Sequence, residues 1–280
     1  MQFLFNTIML EINRWTEHHT ITKHLIDLLP NLYKANFKKL EIWQYHLSSI
    51  SLNRIKQLKD KMDSFNITAP VVGVYTILHA DGQEAKKMDS LINHMVDAAT
   101  ILNANIIKIL PGNIASSKLD IQTRKLSVER IKKIAYKIAE KGMQLSLETH
   151  PNTLCDTKHS TLTLMYELKD CKNIGICYQP YDEETTNEAI KTFTEMLPFI
   201  IHIHLQNLPY ANAETTTFLE KGKWIDYTRL LPHIKNSGYD KIFSLEFTEG
   251  IFPPEGEIFD PQTVIDNAVI DREFFCKFFN

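Results

Sequence analysis

The chain is poor in the residues from which several common sites are built. Its 280 residues include nine glycines, and none forms a Gly-x-Gly-x-x-Gly turn after the first strand or a Gly-x-x-x-x-Gly-Lys-Ser/Thr loop. A backbone cradle for a dinucleotide or a nucleoside triphosphate is thereby excluded. The four cysteines, Cys155, Cys171, Cys177 and Cys276, make no CxxC pair and no zinc-ribbon spacing. At that density they are expected as free thiols in a reducing, cytoplasmic setting. Excess positive charge is also missing. With 31 Lys and Arg against 34 Asp and Glu, the net charge is −3, so no global field draws nucleic acid or an anionic membrane. The apolar start, Met-Gln-Phe-Leu-Phe-Asn-Thr-Ile-Met-Leu-Glu, is too short to span a bilayer and lacks a basic leader and a small-residue cleavage site. It reads as a first core strand. With no low-complexity run and no Pro/Gly/Ser-rich linker, one domain over 1–280 is expected.

What the chain has is a regular succession of short apolar strands and amphipathic helices. Strands are predicted at Gln2–Ile8, Leu40–Tyr45, Val71–Leu78, Ile106–Leu110, Met143–Glu148, Ile174–Tyr178, Phe199–His204 and Ile242–Glu246. Helical stripes follow them: Ile21–Leu29, broken near Pro30; Ser51–Phe65; Glu84–Leu102; Leu126–Lys141, stopped by Gly142; Thr161–Leu168; Glu184–Met196; Asp226–Lys235; and Pro261–Phe275. Near-continuous Val/Ile/Leu strands suit a parallel sheet covered by helices. Eight β–α units in roughly 250 residues is the arithmetic of a single (β/α)8 TIM barrel.

A barrel places functional groups at the C-terminal ends of its strands. Those ends carry Glu41 with His46, His79, Lys108, Glu148 with His150, Gln179, His202 with His204, and Glu246 with Glu249. Side chains two apart on a strand share a face, so Glu148 pairs with His150 and His202 with His204. Glu148, His204 and Glu246 form a carboxylate, imidazole, carboxylate set that only a closed barrel brings together. Such O- and N-donors suit Mn²⁺, Zn²⁺, Co²⁺ or Fe²⁺, and also Mg²⁺. For Glu41 and His79 two readings stand side by side: the far wall of a substrate site, or an internal ion pair or hydrogen bond. For His202 they are a group orienting a ligand, or a member of a polar layer filling the barrel. Trp15, Trp43 and Trp224 read either as an apolar wall or as core.

Several segments resemble the xylose isomerase-like TIM-barrel superfamily, in its sugar isomerase/epimerase and hydroxypyruvate isomerase-like branch. They are Leu147-Glu148-Thr149-His150-Pro151-Asn152-Thr153, His202-Ile203-His204-Leu205-Gln206-Asn207 and Ser244-Leu245-Glu246-Phe247, the last preceded by Gly222-Lys223-Trp224-Ile225-Asp226-Tyr227. Leu40-Glu41-Ile42-Trp43 and Ile107-Lys108-Ile109-Leu110-Pro111-Gly112 support them. The resemblance implies one divalent metal ion on Glu148, His204 and Glu246, and on a fourth position where the family usually has aspartate and this chain has Gln179. It also implies isomerisation or epimerisation of a small sugar or hydroxy-keto acid, by proton transfer through an enediolate. Glu148 and Glu246 would carry the proton. His150, Lys108, His79, Glu41 and His202 would contact substrate. A homodimer is compatible with the resemblance. The Gln179 departure keeps open a barrel that binds a small polyol or metabolite without catalysis. An apurinic-site endonuclease, which shares the barrel, fits the acidic balance poorly. The segments Leu208–Lys223 and Ile251–Pro261 are expected to cover the mouth or meet a second subunit.

Overall fold

A computed structural model describes residues 1–253 and 255–279; Pro254, within the segment Ile251–Pro261 expected to cover the mouth or meet a second subunit, lies outside the described residues. The strands are β1 (Gln2–Asn6), β2 (Lys39–Ile42), β3 (Thr68–Tyr75), β4 (Ile106–Leu110), β5 (Gln144–Glu148), β6 (Ile174–Tyr178), β7 (Ile200–Leu205) and β8 (Ile242–Leu245). They pair in parallel, each with the next, and β1 pairs with β8 to close the barrel. The expected TIM barrel is the fold.

Three boundaries differ from the sequence reading for local reasons. The first strand stops at Asn6, whose side chain accepts the Ile8 amide at 3.2 Å and turns the chain into a 3₁₀ segment, Thr7–Leu10. β3 stops at Tyr75, whose amide N–H donates to Gln44 Oε1 at 2.7 Å instead of to a neighbouring strand. The first long helix runs from Leu25 to Lys34, straight through Pro30. The proline costs one backbone hydrogen bond, but Leu25, Leu28, Leu29 and Leu32 are all buried on one face, and that burial holds the helix together.

Two irregularities set what faces inward. The register between β6 and β7 steps from Ile176↔Ile200 to Cys177↔His202, so β7 carries one extra residue, Ile201. Ile201 packs against a floor of Leu4, Val71, Ile106 and Ile242. Gly175 admits it, since a Cβ there would stand 2.7 Å from the Ile201 side chain. A similar step between β2 and β3 sets Glu41 opposite Val71. Above the apolar floor, the barrel interior is polar.

The long connection after β7 is ordered around Asn207. Its amide donates to Leu219 O at 2.9 Å and Ile225 O at 2.8 Å, and its oxygen accepts from the amides of Leu208 and Ile225. Gly222 lies so close that a Cβ would sit 2.2 Å from Asn207 Cγ. The helix Pro261–Phe279 supplies a second anchor: Asp271 accepts from the Leu219 amide at 2.7 Å and from Thr248 Oγ1 at 2.5 Å. Burial raises the Asp271 carboxyl from 3.8 to about 7, despite those two donors. Between those pH values the folded chain holds a proton that the unfolded chain has lost, so this group reduces stability as pH rises from about 4 through 7. Thermal unfolding across pH 4–8 is expected to show that decline, of up to roughly 4 kcal/mol, and Asp271→Asn is expected to flatten it. A decline of equal slope in the variant would exclude Asp271 as its source.

Candidate metal centre

The C-terminal end of the barrel gathers an enclosed charged network from five strands. Glu41 on β2, Lys108 on β4, Glu148 on β5, His202 and His204 on β7, and Glu246 just past β8 are all buried. Lys108 Nζ lies 2.6 Å from Glu148 Oε2 and 3.4 Å from Glu41 Oε1. His204 Nε2 stands 3.0 and 3.2 Å from the two oxygens of Glu41. His202 Nε2 is 3.2 Å from Glu41 Oε2 and 2.8 Å from Ser244 Oγ.

The other nitrogen of His204 defines the centre. Nδ1 lies 3.2 Å from Glu148 Oε1 and 3.1 Å from Glu246 Oε2, yet it makes no hydrogen bond. The distances are short but the directions are wrong for N–H donation. With Nε2–H committed to Glu41, the Nδ1 lone pair and two carboxylate oxygens converge on one point. The three donors lie within 4.8 Å of one another, close enough for one divalent cation to take all three. A carboxylate behind the imidazole is the usual support for a ligating histidine, because it fixes tautomer and ring orientation. Glu148, His204 and Glu246 thus fit a metal ion.

Charge in the network is consistent with that fit. Burial opposes ionisation of Glu148, but Lys108 and His204 outweigh it and hold its carboxyl well below the usual range. Glu41 is likewise pulled down against burial, by His204 and Lys108. Burial works against charge on Lys108, yet Glu148 and Glu41 keep its ammonium protonated. His204 is driven well above the ordinary imidazole value despite its burial, with nearby Cys177 and the carboxylates of Glu246, Glu41 and Glu148 as the causes. A site that so strongly favours a proton on His204 also favours a metal cation in its place.

Gln179, on the next strand position after β6, is fastened at both ends. Its Nε2 donates to Thr149 O at 2.8 Å, and its Oε1 accepts from Gln206 Nε2 at 3.2 Å. This leaves a neutral oxygen with one lone pair to spare where the family usually has a carboxylate. His150 is half-buried, its Nδ1 2.8 Å from Pro151 O, and burial raises the carboxyl of Asp182 above its ordinary value.

Glu41 and His202, expected among the substrate contacts, are instead enclosed: their polar atoms face Lys108, Ser244, Cys177 and each other, below the opening. Lys108 is drawn into the same network by its two carboxylates. His79 stands in the loop beyond β3 and joins none of these contacts among the described residues. The early end of β3 gives the strand-end place to Tyr75, whose OH accepts from Trp43 Nε1 at 2.9 Å. Cys177, Ser244, Gln206 and Tyr75 were not singled out from the sequence. The alternation that marked Gln179 and Glu246 extends to Cys177 and Ser244, two residues earlier on β6 and on β8.

A cavity of about 350 Å³ lies at the mouth, lined by Trp15, Trp224, Phe247, Phe252, Asp182 and Gln206 among others. Trp15 stacks on Phe252 with ring centroids 4.9 Å apart. Gln206 connects this cavity to Gln179 and so to the donor set. Of the three tryptophans, Trp15 and Trp224 form part of its wall, while Trp43 packs with Tyr45 and lines a small space with Glu41, Lys108 and Glu246. Among the described residues, the cavity lining contains Asp182 and Glu214 and no lysine or arginine. Arg14, behind Trp15, spends its guanidinium on the carbonyls of Ile8, Met9 and Ile251.

A family model described as the xylose isomerase-like TIM barrel matches residues 30–267. A 3-dehydroshikimate dehydratase from Bacillus anthracis is 27% identical over 194 residues, which is 66% of this chain and 67% of that protein. Among solved structures, D-psicose 3-epimerase from Clostridium cellulolyticum H10, determined with D-tagatose, superposes with a TM-score of 0.76 at 16% identity, covering 99% of each chain. The IOLI protein with a bound zinc atom superposes with a TM-score of 0.76 at 16% identity over the full length of both chains. The structural likenesses, at such identities, concern the fold.

Proposed function

The chain belongs to the xylose isomerase-like TIM-barrel family, and from that premise we propose that it is a metal-dependent isomerase or epimerase of small neutral ketoses. The observation that carries this reading is the convergence of His204 Nδ1, Glu148 Oε1 and Glu246 Oε2 within 3.1–3.2 Å of the imidazole nitrogen. A divalent ion held by these three, with Gln179 at its side, would polarise adjacent carbonyl and hydroxyl oxygens and acidify the intervening C–H. The zinc atom bound by IOLI supports such an ion, and the tagatose with the psicose epimerase supports a sugar.

The protein's own groups do the proton work. Glu148 and Glu246 approach the convergence point from β5 and β8. One removes the proton beside the carbonyl and the other returns it, on the opposite face for epimerisation or at the adjacent carbon for isomerisation. Lys108 keeps Glu148 in the ionised form that a base needs. Glu41 holds the His204 ring so that Nδ1 faces the carboxylates. His150, half-open beside Glu148, is placed to donate to a substrate hydroxyl. Trp15, Phe247 and Phe252 offer an apolar face to the carbon side of a sugar.

The lining of the mouth favours a neutral sugar over an acid. A carboxylate-bearing substrate such as dehydroshikimate would enter past Asp182 and Glu214 with no lysine or arginine in the lining to pair with it. The test is incorporation of carbon-bound deuterium from D₂O into a panel of neutral ketoses, with and without Mn²⁺, read by mass spectrometry. Metal-dependent incorporation into at least one ketose is expected. No exchange with any ketose, together with dehydration of 3-dehydroshikimate, would replace this reading with the activity named for the Bacillus relative.

A further inference from the structure

One layer below the convergence point is a second donor set that the proposed catalysis does not use: Cys177 Sγ and the imidazoles of His202 and His204, all of them buried, with ligand atoms within 4.8 Å of one another. The extra residue in β7 creates it. Without the step between Ile200 and His202, Cys177 would lie opposite Ile201; with it, Cys177 and His202 are register partners.

The protonation pattern of the two rings points the same way. Nε2 of each ring lies against Glu41, and that of His202 also against Ser244 Oγ. In both rings Nε2 is thus taken up by these contacts, and Nδ1 is the nitrogen left to face a metal ion. Both Nδ1 atoms are buried without a hydrogen-bond partner. The convergence with Glu148 and Glu246 accounts for the lone pair of His204. It does not account for that of His202, whose neighbour in the second set is Cys177.

We propose that this lower set is a binding site for thiophilic divalent ions of the zinc class, alternative to the upper one. Thiolate with two imidazoles suits Zn²⁺, Co²⁺ and Cd²⁺, whereas two carboxylates with one imidazole also accommodate Mn²⁺ and Mg²⁺. On binding, the Cys177 thiol releases its proton to solvent and the sulfur bonds the metal. His204 belongs to both sets, so an ion in one position takes a ligand from the other. A zinc-class ion in the lower position sits below the mouth and away from Glu246. The inference rests on the side chains of β6 and β7 and stands whether or not the protein acts on ketoses.

The metal-free full-length chain titrated with Co²⁺ tests it. One equivalent is expected to produce an intense near-ultraviolet thiolate-to-cobalt band, lost in Cys177→Ser and retained in Glu246→Gln. Zinc affinity is expected to fall roughly tenfold or more in Cys177→Ser, with Mn²⁺ affinity unchanged. Should Cys177→Ser fail to fold, X-ray absorption of the zinc-loaded parent chain and of a Cys155→Ser/Cys171→Ser/Cys276→Ser variant decides the matter: one sulfur near 2.3 Å is expected in both. A zinc shell of oxygen and nitrogen alone in the parent chain, or a thiolate band that persists without Cys177, overturns the proposal.

Discussion

Glu246→Gln and Glu148→Gln are each expected to abolish solvent hydrogen exchange into the substrate, with losses on the order of 10³-fold or more. Glutamine keeps the shape of the side chain and an oxygen for the convergent point but cannot accept the substrate proton. The two variants should differ in stability. In Glu148→Gln, the Lys108 ammonium loses its 2.6 Å partner and is left with Glu41 at 3.4 Å, so this variant is expected to unfold at lower denaturant. Among the described residues, Glu246 has its short ionic contact with His204 alone, and its replacement is expected to leave stability closer to the parent. Mn²⁺ affinity measured by calorimetry on both variants separates lost chemistry from lost metal. Full exchange in either variant would show that its glutamate carries no proton.

Lys108→Met is expected to have the largest effect on folding. Lys108 is buried, and its ammonium is the fixed positive charge facing Glu148 and Glu41. Methionine fills a similar volume, so packing changes little. What remains is a pair of enclosed carboxylates with only imidazoles to balance them. Removing one member of a buried charged set typically costs about 3–5 kcal/mol, because its partners stay behind without compensation. Urea unfolding measures the loss. The double variant Lys108→Met/Glu148→Gln is expected to be more stable than the sum of the single changes predicts, since it removes both ends of the 2.6 Å contact. Strict additivity would mean that the ammonium and the carboxylate do not act on each other. As a control, Lys133 pairs with Asp89 at 3.4 Å on the surface with both side chains largely exposed, and Lys133→Met is expected to leave stability unchanged within error.

Legibility in the sequence divided along physical lines. Short apolar runs punctuated by turns located all eight strands, because burial on both faces of a parallel sheet demands them. Alternation placed Glu148, His204 and Glu246 on inward positions, because side-chain direction on a strand is a local property. Strand ends were less legible. An amide side chain from elsewhere can take a backbone donor, as Gln44 takes that of Tyr75, and this moved His79 out of the strand-end position. Nothing in the run Val71–Leu78 signals such an event.

By itself, then, the sequence determined a closed eight-stranded barrel and set Glu148, His204 and Glu246 at inward strand-end positions, since periodicity and composition are carried by neighbours in the chain. Only the tertiary structure decided which donors meet and what each supports. Glu41 is 163 positions from His204 and touches it; Lys108 is 40 positions from Glu148 and neutralises it. The one-residue step in β7 brings His202 opposite Cys177. Alternation specifies a face, but register across strands is settled by packing, and here by Ile201 seated over Gly175 on the apolar floor.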